Sequence, residues 1–174
     1  HIWPWGPGVA LPVPSFEERT GLKGACVGVH PSVVGAARLQ GLTVPRVEGA
    51  TGLPDSNLRA KADAALALLA THDVVLLHVD GLAAASHARD FVAKVETLER
   101  IDSYVLGTAL RHLELVPDSR LLFVAGEGVS VETGRHLEDP VPFVLYRPGE
   151  RWPGRAEPTE VGAREGGLEV GRAH

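Results

Sequence analysis

Three of the eight histidines stand where chemistry is expected in a sheet-based protein. His78 follows an apolar run, His87 lies nine residues further on, and His136 lies in a polar loop. A neutral imidazole binds transition metals, and histidine exchanges protons near neutral pH. We therefore take these three residues as the first candidates for a functional site, although at His78 a hydrogen bond at a strand end competes with a chemical role.

Other polar residues carry weaker indications of chemistry. Asp55, Asn57 and Asp80 occur in turn-rich positions, where loop and helix-cap roles compete with catalysis. Ser130 and Thr133 are hydroxyls on one loop, but no neighbouring base is evident, so a hydrolase triad is not predicted.

Short apolar runs alternate with helical patterns along the chain. The predicted strands are residues 24–29, 43–47 (interrupted by a proline and therefore near an edge), 73–79, 120–125 and 141–146. The predicted helices are residues 30–41, a helix after the 49–57 loop, and a long helix that follows a small-residue loop at 81–86 and ends near residue 112. We expect Asp55 or Ser56 to cap the second helix. The apolar stripe of the third is Phe91, Val95, Leu98, Ile101, Val105 and Ala109.

This order predicts an α/β fold with a mostly parallel sheet and helices on both faces. Residues 1–23 form an irregular leading segment, residues 24–147 a single α/β domain, and residues 148–174 a tail of that domain. Sites in such sheets lie at the carboxyl ends of the strands. His78, His87 and His136 all fall at that edge in the predicted order.

Composition excludes several classes of protein. The net charge of −5 without a basic stripe argues against nucleic acid as a partner. No apolar run approaches the roughly 18 residues of a membrane span, and no signal peptide is evident. Cys26 is the single cysteine, which excludes an internal disulfide and favours the cytoplasm. The chain starts with His1 and contains no Met, so we expect it to be trimmed or incomplete at its start.

Five segments in order resemble the archaeal-type cofactor-independent phosphoglycerate mutases, of the alkaline phosphatase superfamily. They are TGLKGA at 20–25, GATGLPDSN at 49–57, HVD at 78–80 with a histidine at 87, HLEDPVPF at 136–143, and AREGGLEV at 163–170. The WPWGPG at 3–8 resembles a bacterial subgroup proposed to include a homoserine kinase; other relatives carry the name phosphonopyruvate decarboxylase. The resemblance implies the C-terminal half of the family's chain, an alkaline-phosphatase-like core lacking its N-terminal part.

The resemblance also implies a mechanism. In the family, two divalent metals, usually manganese or zinc, activate a serine that is transiently phosphorylated, and the phosphoryl group moves between the hydroxyls of glycerate. The metals neutralise charge on the transferring group and lower the pKa of the nucleophile. A serine nucleophile and one aspartate ligand belong to an N-terminal segment that this sequence does not include.

The family's remaining metal ligands are mostly replaced here. An aspartate position is Ala83, the adjacent Asp-His pair falls on Gly126 and Glu127, and His87 and His136 are retained. A phosphate-contacting lysine of the family falls on Val34. Two imidazoles do not make a two-metal site, so we expect no catalytic residues in this chain. His87, His136 and Glu127 remain as candidate ligands of one zinc or manganese ion.

Two functional hypotheses follow from these replacements. The first is a catalytically impaired, phosphoglycerate-mutase-like remnant that acts in binding or scaffolding, with a small phosphorylated metabolite or a second copy of itself as candidate partners. A homodimer is expected because the loss of a core strand leaves a sheet edge that must be covered. The second is a metal-dependent phosphotransferase with a reduced metal site.

Overall fold

The computed structural model of the protein describes residues 12–149, so the WPWGPG and AREGGLEV segments lie outside the described part. Its helices and strands, in chain order, are α1 (Phe16–Thr20), β1 (Gly24–Val27), α2 (Pro31–Leu39), α3 (Leu58–Leu68), β2 (Val74–Leu77), α4 (Gly81–His87), α5 (Phe91–Arg100), a π-helical stretch (Ile101–Leu106), α6 (Gly107–Leu113), β3 (Leu121–Val124), β4 (Gly128–Val129), β5 (His136–Leu137) and β6 (Phe143–Tyr146).

The core lies around β1. Ala25, Cys26 and Val27 are fully buried, as expected for an apolar run without charges. β1 pairs in parallel with β2, and α3 packs against both strands. Leu58 and Ala62 of α3 are buried. On its other side β1 meets Thr43 in a single parallel bridge. The predicted strand at 43–47 is therefore wrong beyond its first residue, because Pro45 has no N–H to donate to a ladder.

The mostly parallel sheet is not confirmed. Residues 12–149 form three two-stranded sheets: β1–β2 is parallel, whereas β3–β6 and β4–β5 are antiparallel. A parallel pairing of β3 with β6 would need a crossover of a dozen or more residues, usually a helix. The 125–142 connection instead holds the small β4–β5 hairpin, and β6 returns beside β3 in the opposite direction.

The predicted long helix is interrupted, and its preceding loop is wrong. Residues 81–87 form α4 rather than a small-residue loop, and the chain breaks at Arg89, which has a φ of 60°. α5 then begins after Asp90, whose side chain accepts a hydrogen bond from the Ala93 amide. The apolar stripe buries Ile101, but Phe91 and Leu98 lie exposed.

The cap of α3 also differs from the prediction. Asn57, rather than Asp55 or Ser56, occupies the N-cap, and its side chain accepts a hydrogen bond of 3.0 Å from the Ala60 amide. Asp55 instead accepts from the hydroxyl of Thr51 within the loop. Ser56 is buried and its hydroxyl accepts from the Thr51 amide, so both residues shape the loop that precedes the helix.

No helix within residues 12–149 is both long enough and apolar enough to cross a membrane.

Candidate functional site

A cavity of about 750 Å³ opens where the loop after β3 meets α4 and α5. Its polar groups are contributed by Ser86, Lys94, Glu127 and Asp139. The apolar lining is Leu82, Ala83, Leu98, Ala125, Val129, Leu137, Pro140, Val141 and Pro142, with Gly128 completing it. A volume of this size suits a small ligand, and a mostly apolar lining with a few polar groups is usual for such sites.

The three predicted metal ligands meet beside this cavity. The imidazole rings of His87 and His136 lie 4.9 Å apart between centroids, edge to face. Nδ1 of His136 lies 3.0 Å from Oε2 of Glu127, and both side chains are more than half exposed. Nδ1 of His87 donates to the carbonyl of Gly134 at 2.9 Å. The structure thus brings together the residues that were separated by 49 positions in the sequence.

The turn at Gly134 brings the β4–β5 hairpin onto α4. Gly134 has a φ of 69°, and a Cβ there would lie 3.2 Å from the carbonyl oxygen of His87. Both facts favour glycine, because a side chain would be strained and crowded. Lys94 fixes the hairpin from the other side, donating to the Val129 carbonyl at 2.9 Å. The imidazole pair is therefore positioned by one hairpin held against α4 and α5.

The family's two-metal site does not fit the residues present. Ala83 lines the cavity where the resemblance implies a carboxylate. Gly126 offers no ligand, although a Cβ at that position would meet no atom within 4 Å. No group of three or more His, Cys, Asp or Glu in residues 12–149 is arranged to hold a metal ion. We therefore derive no catalytic step through a metal pair, and binding of a single ion at His87, His136 and Glu127 stays a prediction.

The imidazole pair nevertheless has one property of metal-binding histidines. Such histidines hold their ring by donating from one nitrogen to a carbonyl or carboxylate, which leaves the other nitrogen as ligand. His87 has this arrangement with the Gly134 carbonyl, and His136 has it with the Glu127 carboxylate. In this geometry the Glu127 carboxylate contacts the His136 ring directly, so it orients that ring.

A second polar cluster lies at the ends of β1 and β2. Lys61 is fully buried, and its ammonium donates to the backbone carbonyl of His78. Burial lowers the pKa of Lys61, and the nearby Asp80 carboxylate and Cys26 thiol partly offset that shift. Burial also raises the pKa of the Cys26 thiol, with Lys61 acting in the opposite direction. The Nδ1 of His78 lies 3.4 Å from Oδ2 of Asp80, but neither of these two buried atoms has a hydrogen-bond partner among the described residues.

Sequence reasoning missed the two lysines that organise these clusters. Lys61 follows Leu58 by three residues, which places it on the buried face of α3 and was a readable signal. Lys94 precedes Leu98 by four residues and shares its side of α5, beside the cavity. Lys94 carried no signal that the sequence alone could distinguish from a solvated surface lysine.

The fold defines the class: the structural neighbours of this chain are alkaline-phosphatase-like proteins of the phosphoglycerate mutase type. The chain belongs to the Metalloenzyme superfamily, whose family model matches residues 1–170.

Several curated proteins that resemble this chain are named as phosphoglycerate mutases. The chain is 37% identical over 171 residues to a probable 2,3-bisphosphoglycerate-independent phosphoglycerate mutase of Geobacter sulfurreducens. The aligned region covers 97% of this chain and 43% of that protein. It is 35% identical to the 2,3-bisphosphoglycerate-independent phosphoglycerate mutase of Methanosarcina acetivorans over 84% of this chain and 37% of that protein. The chain thus spans less than half the length of these relatives.

Solved structures agree with the sequence relatives. The PH0037 protein of Pyrococcus horikoshii superimposes with a TM-score of 0.77 at 33% identity, over 88% of this chain and 46% of that one. The cofactor-independent phosphoglycerate mutase of Thermoplasma acidophilum superimposes with a TM-score of 0.61 at 28% identity. The match covers 90% of this chain and 36% of that one. The family predicted from the five segments is confirmed.

Proposed function

We propose that this chain is a phosphoglycerate-mutase-like protein whose own metal site is degraded, and that it binds a ligand or a partner rather than transferring a phosphoryl group. One observation carries the proposal: Ala83 and Glu127 line the cavity at the positions where the resemblance implies an aspartate and a histidine ligand. A methyl group cannot bind a metal. The cavity therefore keeps the family's place in the fold but lacks most of its cation-binding groups.

The charge of the cavity supports the proposal that the chain does not transfer a phosphoryl group. A phosphoryl dianion needs metals, cations or N–H donors to offset its charge. Here Lys94 already donates to the Val129 carbonyl, while Glu127 and Asp139 add two carboxylates to the lining. The position of the family's phosphate-contacting lysine is Val34. A small phosphorylated metabolite would need a bound cation at the imidazole pair to offset these carboxylates.

An activity assay tests the proposal directly. The purified chain is incubated with 3-phosphoglycerate and added manganese, and formation of 2-phosphoglycerate is followed, with the Geobacter sulfurreducens relative as positive control. We expect no conversion above the protein-free blank. Conversion that depends on manganese would contradict the proposal and favour the alternative, a metal-dependent phosphotransferase with a reduced site.

Restoring the ligands gives a readout that does not depend on turnover. The triple variant Ala83→Asp, Gly126→Asp and Glu127→His rebuilds the family's ligand types around His87 and His136. Because position 126 has free space for a side chain, we expect the variant to bind at least one more manganese or zinc ion than the wild type by elemental analysis. Equal metal content in both proteins would show that these positions do not control metal binding.

The alternative function rests on the imidazole pair, and it predicts a zinc response. At a zinc concentration of about 100 times Kd, one bound ion stabilises the folded state by roughly 2.7 kcal/mol. That corresponds to a Tm increase of about 5–10 °C for a chain of this size. The increase should disappear in His87→Ala and His136→Ala and persist in His30→Ala, a histidine at the start of α2 away from the pair. No shift at saturating zinc or manganese would rule the site out.

A further inference from the structure

The charged side chains that line the cavity do not balance one another. Three of the lining residues are charged: Lys94, Glu127 and Asp139. One ammonium and two carboxylates leave the lining with a net charge of −1. Clefts lined by an excess of one sign of charge concentrate ligands of the opposite sign. The cavity is therefore better suited to a cation than to an anion.

The side chains that could donate hydrogen bonds into the cavity are bonded to the backbone. The Lys94 ammonium donates to the Val129 carbonyl at 2.9 Å. The hydroxyl of Ser86, a buried residue, donates its single proton to the Leu82 carbonyl at 2.9 Å. The Ser86 oxygen can still accept a hydrogen bond. A ligand that carries only acceptor oxygens therefore finds little to bond among these side chains.

The two carboxylates, in contrast, keep acceptor oxygens that a ligand can use. Within residues 12–149 the Asp139 carboxylate has neither a hydrogen-bond donor nor an ion-pair partner. Glu127 contacts His136 through Oε2 at 3.0 Å, which leaves Oε1 for another donor. Both residues are exposed as well as lining the cavity, so a ligand that enters from solvent can reach them.

Most of the cavity wall is apolar. Leu98 and Leu137 line it while remaining 52% and 46% exposed, so water now contacts these hydrocarbon surfaces. A ligand that covers them gains the free energy of removing apolar surface from water. Phosphorylated glycerates are almost entirely polar and would leave the leucines uncovered. The wall therefore favours a ligand with a hydrocarbon body.

We propose that the cavity binds a small organic amine, in which a protonated primary amino group is joined to an alkyl or aryl body. The ammonium donates to the Asp139 carboxylate and is also attracted by Glu127, while the hydrocarbon body covers Leu98 and Leu137. The volume of about 750 Å³ lies in the range of small-molecule sites. This inference rests on the proposed function, because it names the class of ligand for the site proposed to bind rather than to transfer a phosphoryl group.

A series of ligands with one hydrocarbon body tests the proposal. Phenethylamine, phenethyl alcohol and hydrocinnamate carry a positive charge, no charge and a negative charge, respectively, and methylammonium carries the charge without the body. Each is titrated into the full chain, and Kd is measured by NMR chemical-shift changes. We expect the Kd of phenethylamine to be at least about tenfold lower than that of the other three, because hydrogen bonds to charged groups are the stronger ones. Added salt should weaken the binding of phenethylamine alone.

Two carboxylates that are adjacent in the sequence provide the matched control. Asp139→Asn keeps the shape of the side chain and removes its charge, so it should raise the Kd of phenethylamine about fivefold or more and leave that of phenethyl alcohol unchanged. Glu138→Gln removes the charge of an exposed neighbour that does not line the cavity, and it should change neither value. Leu98→Ala should raise the Kd of both ligands, because both cover that side chain.

Several outcomes would overturn the amine site. They are the absence of binding by phenethylamine, equal or tighter binding of hydrocinnamate, and an equal effect of Asp139→Asn and Glu138→Gln. The mutase assay with 3-phosphoglycerate and manganese separates this failure from that of the proposed function. No conversion together with no preference for the amine refutes the amine site alone, whereas manganese-dependent conversion refutes the proposed function on which it rests.

Discussion

At the scale of single residues, Lys61 is the largest fully buried side chain of the described part. It is a lysine without exposed surface, and its ammonium bonds the His78 carbonyl at the point where β2 ends. A buried charge is tolerated when it is paired and hydrogen-bonded, and Asp80 supplies the opposite charge nearby. Lys61 therefore links α3 to the end of β2.

We expect Lys61→Met to lower the free energy of unfolding. Methionine keeps most of the volume but leaves the His78 carbonyl without its donor and Asp80 without its cation. An orphaned buried group costs about 1–3 kcal/mol. Urea unfolding measures the loss, with Lys23→Met, at an exposed residue, as the control that should stay within about 0.5 kcal/mol. A stabilised Lys61→Met protein would show that the buried charge is a net cost.

The same residue predicts a pH dependence. Because burial lowers the folded-state pKa of Lys61 below its ordinary value of 10.5, the unfolded state binds more protons between those two values. Stability from this group therefore rises with pH through that window and is lost as pH falls through the folded-state pKa. Subtracting the Lys61→Met profile of unfolding free energy from that of the wild type isolates the effect. A difference that is flat or falls with pH would contradict the lowered pKa.

At the scale of elements, α3 depends on a cap that the sequence left ambiguous. Three adjacent residues, Asp55, Ser56 and Asn57, are all good N-caps, so composition could not choose among them. The loop decides: the Asn57 amide donates to the Gly49 carbonyl at 2.9 Å, which places Asn57 at the helix start. We expect Asn57→Ala to cost about 1 kcal/mol in unfolding free energy. Asp55→Ala serves as the comparison. A larger loss of unfolding free energy in Asp55→Ala than in Asn57→Ala would show that Asn57 is not the residue that caps α3.

Most strands could be predicted from apolar runs in the sequence, whether the structure buries them, as in β1, or leaves them partly exposed, as in β2, whereas their pairing and direction could not. β1 and β2 were predicted because a run of apolar residues without charges is typical of a strand inside a sheet. The orientation of β6 could not be predicted, since it follows from the hairpin between β3 and β6 rather than from its own residues. The prediction that the apolar stripe of α5 is buried was wrong at Phe91 and Leu98. Both side chains are apolar, yet nothing in residues 12–149 covers them.

The candidate site, too, was predictable only in part. The resemblance grouped His87, His136 and Glu127 as ligands of one ion; the structure shows His136 in contact with the other two, and metal binding stays a prediction. The resemblance could not provide the hydrogen bond from His87 to the Gly134 carbonyl or the contact of His136 with Glu127. Those depend on the turn at Gly134, whose positive φ is not specified by the residues around it.

At the scale of the whole molecule, burial is unevenly distributed. The β1 region and α3 hold the most deeply buried side chains, among them Cys26 and Leu58, whereas no residue of β3 or β6 is fully buried. Amides in regions with little apolar contact open at lower free energy than those of the core. We therefore expect the β1 amides to exchange far more slowly than those of β3 in the chain alone.

Two truncations of the same side chain test this uneven distribution. Leu58 is 1% exposed, so Leu58→Ala leaves a cavity and should cost about 2–4 kcal/mol in unfolding free energy. Leu122 is 59% exposed, so Leu122→Ala should cost less than about 0.5 kcal/mol. Urea unfolding of both variants, at several protein concentrations, gives the comparison. Because both substitutions delete the same atoms, a comparable loss at Leu122 would mean that the β3 surface is already covered in solution, and a loss that grows with protein concentration would identify another copy of the chain as its cover.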